Sequence, residues 1–594
     1  MLPRNKLFLL LAGGALIVGL PALAQDKPES ILPPGFGDPS TPKPAPVTAT
    51  PSKASTTPAG QIERNDVVEA TPAEIGAEAV AALRPVPQVE LPAGSRRDAA
   101  LVGPLQPGTS GFGEQLWGTS SGKFLSTLLR RTKAPLASRW GHVMIRNALL
   151  TGGNAPSDAH PADWVAERSW MLLRMGEADA ARLLVAGVDV RDFTPKLYQV
   201  GTQVALASAD PAALCPIKEG VSRNDGRIKP LVDAMCASLS GNSEVAASDI
   251  ETSRRRGRFE QIDLTLAAKV VGAGADTARA ATVEWEPVDV LTIWRFGLAT
   301  ATGIVLPDKL LAKAPPRLLA WQARAPMLTP ADRLAAARVA TGLGVFSSQA
   351  LVDLYSQVYD STEPDSLAQT DAWQLRLAMV GADRDARVAA IRKLLASGRS
   401  PIEKEASRAL VARAASLIAP DADLEDVAPD LIAAMLASGN QPAADRWMTV
   451  IDDMSDSVRA RCWAMLALAS PTPSIDGAEL ENFLDEDDST DRQRSALLVA
   501  GLAGLGKIGA QEAGRISAKY VLGLGRRNVW TETIDGASQR RQAGTVAVLS
   551  AVGLQAQDFN SVPGVHIFHL VTALRRNGLD FYARMIAAEA LART

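Results

Sequence analysis

Charge of one sign is missing from this chain: 62 Lys and Arg stand against 65 Asp and Glu, a formal net charge of −3. That balance excludes the broad basic face on which nucleic-acid binders depend. The short clusters Arg254-Arg255-Arg256 and Arg526-Arg527 read as solvated helix ends. Long hydrophobic runs are missing too. The longest, Leu7 to Leu20, falls short of the roughly 20 apolar residues that span a bilayer, and Pro21 ends it. Later apolar stretches are broken by charges or glycine, so no transmembrane segment is expected in the mature chain. Alternating β-branched residues between hairpin signals are absent, which predicts strand content near zero. Histidine occurs four times and cysteine three times, which leaves few candidates for metal or nucleophilic chemistry.

The N-terminus reads as a secretory signal. Arg4 and Lys6 give it a positive start, Leu7 to Leu20 an apolar centre, and Ala22-Leu23-Ala24 a small-residue cleavage site. Cleavage near Ala24 would leave Gln25 as the mature N-terminus and 60 basic against 65 acidic residues. The expected location is the periplasm or the exterior. No cysteine follows the apolar centre, so no lipid anchor is expected. Residues 25–70 form a Pro/Thr/Ala-rich tail that cannot bury enough apolar surface to fold, and a disordered segment is expected there. Within it, Ile31-Leu32-Pro33-Pro34-Gly35-Phe36 concentrates large apolar side chains. A short docking peptide and an ordinary stretch of linker are both open readings.

Residues 71–122 read as a short helix followed by a Pro/Gly-rich linker, and residues 123–594 as an array of helices. Thr71-Pro72-Ala73-Glu74 and Ser400-Pro401-Ile402-Glu403 are capping boxes with proline at the first helical position, and Thr329-Pro330-Ala331-Asp332 is the same device with a shorter acid. Apolar spacing of helical period follows the last two, as in Leu334, Val339 and Leu343. Residues 164–175 break at Gly176 and restart at Ala178, the pattern of an antiparallel helix pair. At about 20 residues per helix and loop, 20 to 25 helices are expected.

Cys215 and Cys236 flank one loop, which suits a disulfide between successive helices in an oxidising compartment. Two unpaired core thiols are the alternative. Cys462, in an apolar helical stretch, reads as a small core residue.

The segment Trp164 to Trp170, followed by Gly176 to Leu184, resembles tetratricopeptide-type helix pairs. The 34-residue signature does not recur at fixed period, so the resemblance implies a degenerate α-solenoid over residues 120–594. The closing stretch Gly578 to Ala590 resembles the ends of uncharacterised exported bacterial envelope proteins, a likeness that implies no function.

Several partial motifs fail on context. Gly501 to Lys507 matches the start of a phosphate loop, but Ile508 replaces the Ser or Thr that would hold Mg²⁺, so Gly504 and Gly506 read as a helix end. Gly118 to Gly122 fits G-x-S-x-G, and Ser120 to Lys123 fits S-x-x-K, without the strand or partner motifs that either site needs. His566 and His569 share a helical face at a metal-compatible spacing, yet their neighbours are apolar and packing histidines are expected; His142 and His160 are single. Asp485 to Asp491 imitates a calcium loop, but Thr490 and Ala496 occupy the Gly and Glu positions. A Thr-rich ice-binding face is excluded because Thr48 to Thr57 lies in a Pro-broken segment. No catalytic residue, cofactor or metal site is predicted.

Two readings follow. The first is an all-α, non-enzymatic scaffold or adaptor that binds an envelope protein or peptide. The second is the helical superstructure of a peptidoglycan-acting enzyme, which would resemble the helical rings of exported lytic transglycosylases. That class needs a catalytic Glu in a Glu-Ser turn, and Glu29-Ser30 lies only in the tail. Trp117, Trp140, Trp285, Trp294 and Trp321 could line a groove, although tryptophans of such arrays are more often core.

Overall fold

The computed structural model describes residues 95–594 apart from 225–226, 276–281 and 472–474. The segment read as a signal, the Pro-rich stretch with Ile31–Phe36, and the Thr71 capping box all lie outside the described residues. Among the described residues there are 28 α-helices and no strand; a single isolated bridge joins Leu105 to Thr151. The helix number exceeds the expectation because one-turn helices such as Asp308–Leu311, Pro364–Leu367 and Gln441–Asp445 punctuate the loops. No described helix is long and apolar enough to cross a membrane.

The predicted start signals are used as chemistry requires. Ser400 Oγ accepts from Glu403 N–H at 3.2 Å while Glu403 Oε2 accepts from Ser400 N–H at 3.3 Å, closing the capping box. Thr329 accepts from Asp332 N–H at 3.2 Å. The pair Pro161–Met175 and Ala178–Ala186 turns at Gly176, whose φ of 92° is left-handed. A Cβ there would lie 2.7 Å from that of Ala320, so both the turn and the next helix require glycine.

Helices pack mainly in sequential antiparallel pairs, compatible with a helical-repeat solenoid. Several helices also pack beyond their sequence neighbours, and one of them reaches both the far end and the middle of the chain. Arg139–Leu150 lies against Ala543–Gly553 and Asp580–Ala592 at the far end of the sequence and also against Pro330–Leu343 in its middle. It can do so because nine of its twelve residues are buried, including Gly141 and Ala148, which allow close approach.

The stretch read as linker proves to be a packed strap. From about residue 99 to residue 122, Phe112, Leu116 and Trp117 are buried, and Trp117 meets Trp164 edge-on at 5.1 Å. Arg168, fully buried, donates to the strap carbonyl of Val102 at 2.7 Å and to that of Leu149 at 3.1 Å. Desolvation brings its pKa down to about 10, so it is still cationic at neutral pH. Gly544 N–H donates to Leu116 C=O at 2.8 Å, which ties the strap to the C-terminal helices. Composition misled here because proline and glycine punctuate three large apolar residues that find partners only in the tertiary fold.

Cys215 and Cys236 are joined by a disulfide, their Cα atoms 5.5 Å apart across a separation of 21 residues. Cys462 is buried and its thiol is pushed up to about 12 by desolvation. Titration with a thiol reagent should therefore find no reactive thiol in the native chain and one after denaturation without reductant. Three in the denatured, unreduced chain would exclude the bridge.

Candidate functional site

Six helices contribute to a buried polar junction and the cleft beside it, and are numbered in chain order: α1 Arg139–Leu150, α2 Pro330–Leu343, α3 Ser348–Ser361, α4 Pro401–Ser416, α5 Ala428–Ala437 and α6 Asp580–Ala592. Their meeting point is the N-terminus of α1. The carboxylate of Glu589, on α6, accepts from Ser138 Oγ at 2.6 Å, from Arg139 N–H at 2.7 Å and from Trp140 N–H at 3.1 Å. A negative group 450 residues away thus satisfies the first N–H groups of α1 at the positive end of its dipole. Arg593, one turn along α6, donates to Glu589 at 2.6 Å and to Ala137 C=O at 2.7 Å. Its Nε lies 3.9 Å from Glu405, a buried acid on α4.

The Arg139 side chain runs the other way. It is 5% exposed and donates to the carbonyls of Thr341 at 3.0 Å, Ala437 at 2.6 Å and Phe346 at 3.3 Å. Thr341 and Ala437 are in the last turns of α2 and α5, so one cation serves two negative helix ends. Burial lowers the Arg139 pKa, opposed by the charges of Glu405 and Glu589. Trp140 donates to Leu436 C=O at 3.2 Å and packs edge-on against Phe581 at 5.3 Å. One turn on, His142 bonds Glu177 at 3.0 Å, and Arg146 donates to the same carboxylate oxygen and to Gly344 C=O, each at 3.2 Å. Gly344 has φ 101°, and a Cβ there would press 3.0 Å from the Arg139 carbonyl oxygen.

Beside this junction opens a cleft of about 400 Å³, lined by Arg139, Trp140, Val143 and Arg146 of α1, Phe346 to Gln349 at the start of α3, Arg413 and Ser416 at the end of α4, and Ser438 and Asn440 beyond α5. Three arginines line it, with no carboxylate. Arg146 is neutralised by Glu177, whereas the exposed Arg413 side chain has no acidic partner among the described residues. Trp140 and Phe346, both largely buried, supply an apolar floor with Val143. A second cleft, of about 480 Å³, is of mixed charge: Arg392 is paired with Asp426 in its wall.

No family model, curated protein or solved structure matches this chain. The functional reading therefore rests on the residues themselves.

The partial motifs are accounted for by packing. Ser120, in the G-x-S-x-G match, precedes the helix that starts at Gly122 and bonds Thr545 Oγ1 at 2.7 Å. Lys507, the lysine of the incomplete phosphate loop, donates to the C-terminal carbonyls of the helix Asp456–Ala469, including Ser470 C=O beyond it at 2.7 Å. Desolvation, helped by Arg584, brings its pKa down to about 7. Asp487 of the calcium-like loop accepts from Ser489 and Ser495 at 2.6–2.9 Å, which fastens the loop to the following helix. His566 faces Gly553 C=O at 3.1 Å and His569 faces Asp535 at 2.9 Å, so the two rings do not converge on a common point. Among the described residues no group of three or more His, Cys, Asp or Glu could hold a metal ion. Of the five tryptophans, only Trp140 lines the arginine-rich cleft; Trp117, Trp294 and Trp321 are core, and Trp285 packs against the core half-buried.

Arg139, Arg146, Arg413, Glu405 and Glu589 are not among the residues singled out from sequence. A usable signal was present in Glu589, an acid inside Met585-Ile586-Ala587-Ala588-Glu589-Ala590-Leu591, because a charge on an all-apolar helix stretch demands a buried partner.

The histidines set a pH dependence. Burial lowers the pKa of His142, outweighing Glu177 and aided by Arg146 and Arg139, and burial likewise lowers that of His566. Below pH ~6.5 the unfolded chain takes up protons that these folded imidazoles refuse, so stability falls as pH drops through that value. The thermal midpoint should be lower at pH 5 than at pH 7, and His142→Gln should reduce the difference. An unchanged difference would remove His142 from the account.

Proposed function

We propose that this chain is an exported, non-enzymatic scaffold of tetratricopeptide-like helix pairs that binds a partner protein or peptide of the cell envelope. The observation that carries the reading is the arginine-lined cleft: an apolar floor of Trp140, Phe346 and Val143 beside arginines, hydroxyls and amides, with no acid in its walls. Such a mixture of apolar surface and a few convergent polar groups is the general form of a binding site. Its supports are rigid, since Arg139, Trp140 and the α2–α3 turn are held by buried hydrogen bonds. A site of this kind holds a ligand by shape and charge and needs no reacting side chain.

The test is a cross-linked pull-down of the tagged mature chain from the cell envelope, beside a variant lacking residues 26–60, with partners identified by mass spectrometry. A stoichiometric partner supports the scaffold reading. Its loss on deletion of 26–60 would assign docking to that segment, most simply Ile31–Phe36, and no partner with either chain would count against the reading.

A further inference from the structure

We infer that the cleft between α1, α3 and α4 captures a free peptide C-terminus: the terminal carboxylate at Arg413 and Arg139, the last side chain, apolar, on Trp140 and Phe346. This deepens the scaffold reading and rests on it. Four observations converge. The lining holds cationic groups and no carboxylate, so its charge complements an anion. Arg413 is unpaired among the described residues and reaches the cleft from the last turn of α4. Arg139, 5% exposed, spends three of its five N–H donors on Thr341, Phe346 and Ala437, and its remaining donors are on the two terminal nitrogens. Finally, α3, 14 residues long, begins at the cleft wall, and its first N–H groups, at Ser348 and Gln349, have no acceptor within the helix.

A planar carboxylate suits this set. Guanidinium forks bind it bidentately, and a helix start contributes backbone donors to the same oxygens. The volume of about 400 Å³ is of the size that holds a short peptide end and is too small for a folded domain. Beyond the carboxylate, Ser416, Ser438 and Asn440 offer groups that both donate and accept, as peptide N–H and C=O require. The floor of Trp140, Phe346 and Val143 selects an apolar last side chain, because a cationic one would meet only arginines and a neutral polar one would lose its water against the rings.

The experiment uses the full mature chain, immobilised, and two pools of randomised N-acetylated tetrapeptides, one ending in a free carboxylate and one in an amide. The expected result is retention of the free-carboxylate pool about tenfold above the amidated pool, with Phe, Leu, Ile and Val enriched at the last position. Arg413→Gln, at an exposed position that leaves the fold intact by circular dichroism, should reduce that retention about tenfold. Equal retention of the two pools, absence of retention, or indifference to R413Q overturns the inference. Displacement of the peptides by phenyl phosphate at equal concentration would also overturn it, since the cleft would then be a general anion site. Failure here is separable from failure of the scaffold reading. An envelope partner still captured by the R413Q chain leaves the scaffold standing with its contact elsewhere.

Discussion

Glu589→Gln is expected to lower the stability of the chain by about 3–5 kcal/mol, the range for breaking a buried charge pair by removing one member. The side chain is 4% exposed, and its two oxygens accept four bonds: from Ser138 Oγ, the N–H groups of Arg139 and Trp140, and the Arg593 guanidinium. An amide preserves the volume but replaces one oxygen with an N–H₂ group facing donors. It also leaves Arg593 dependent on Glu405, 3.9 Å away, while that acid already serves Arg408 at 3.4 Å. Urea unfolding followed by far-ultraviolet circular dichroism measures the loss. A change below ~1 kcal/mol, the scale of an exposed ion pair, would mean that the contact between α6 and α1 is not a keystone. Because α1 joins the C-terminal helices to the strap and to α2, protease sensitivity should rise at both ends of the described region together.

Trp117→Ala should cost about 3–5 kcal/mol, the range for deleting a large aromatic side chain from a packed core. Trp117 is 1% exposed and meets Trp164, itself 1% exposed, edge-on at 5.1 Å. Its ring also lies under Gly544, where an added Cβ would approach it to 2.8 Å, so the strap and the C-terminal helix are fitted to each other. A true linker would tolerate the substitution without measurable change. The same unfolding measurement distinguishes the two cases, and an effect below ~0.5 kcal/mol would restore the linker description of residues 99–122.

Helix identity was legible where its cause is local. Thr329 and Ser400 start helices because their hydroxyls reach an N–H three residues on, and Gly176 ends one because it alone adopts a left-handed φ at low cost. The failed motifs were legible for the same reason: a phosphate loop without its hydroxyl and a calcium loop without its Gly and Glu lack groups that must be close in sequence. The site was not legible. Arg139 follows a cap serine as any surface arginine could, and Arg413 is one basic residue among many on helix ends. Neither carries a local mark of the cleft that they share.

The class of the fold, and the lack of strands among the described residues, were legible from local signals, since both follow from side-chain period, caps and breakers acting over fewer than about ten residues. Closure came from packing alone: the strap against the C-terminal helices, Glu589 at the start of α1, and the cleft formed where α1, α3 and α4 meet. These contacts join residues more than 450 positions apart. Their strength comes from burying charge and aromatic surface together, and burial belongs to the packed chain, not to any segment of it.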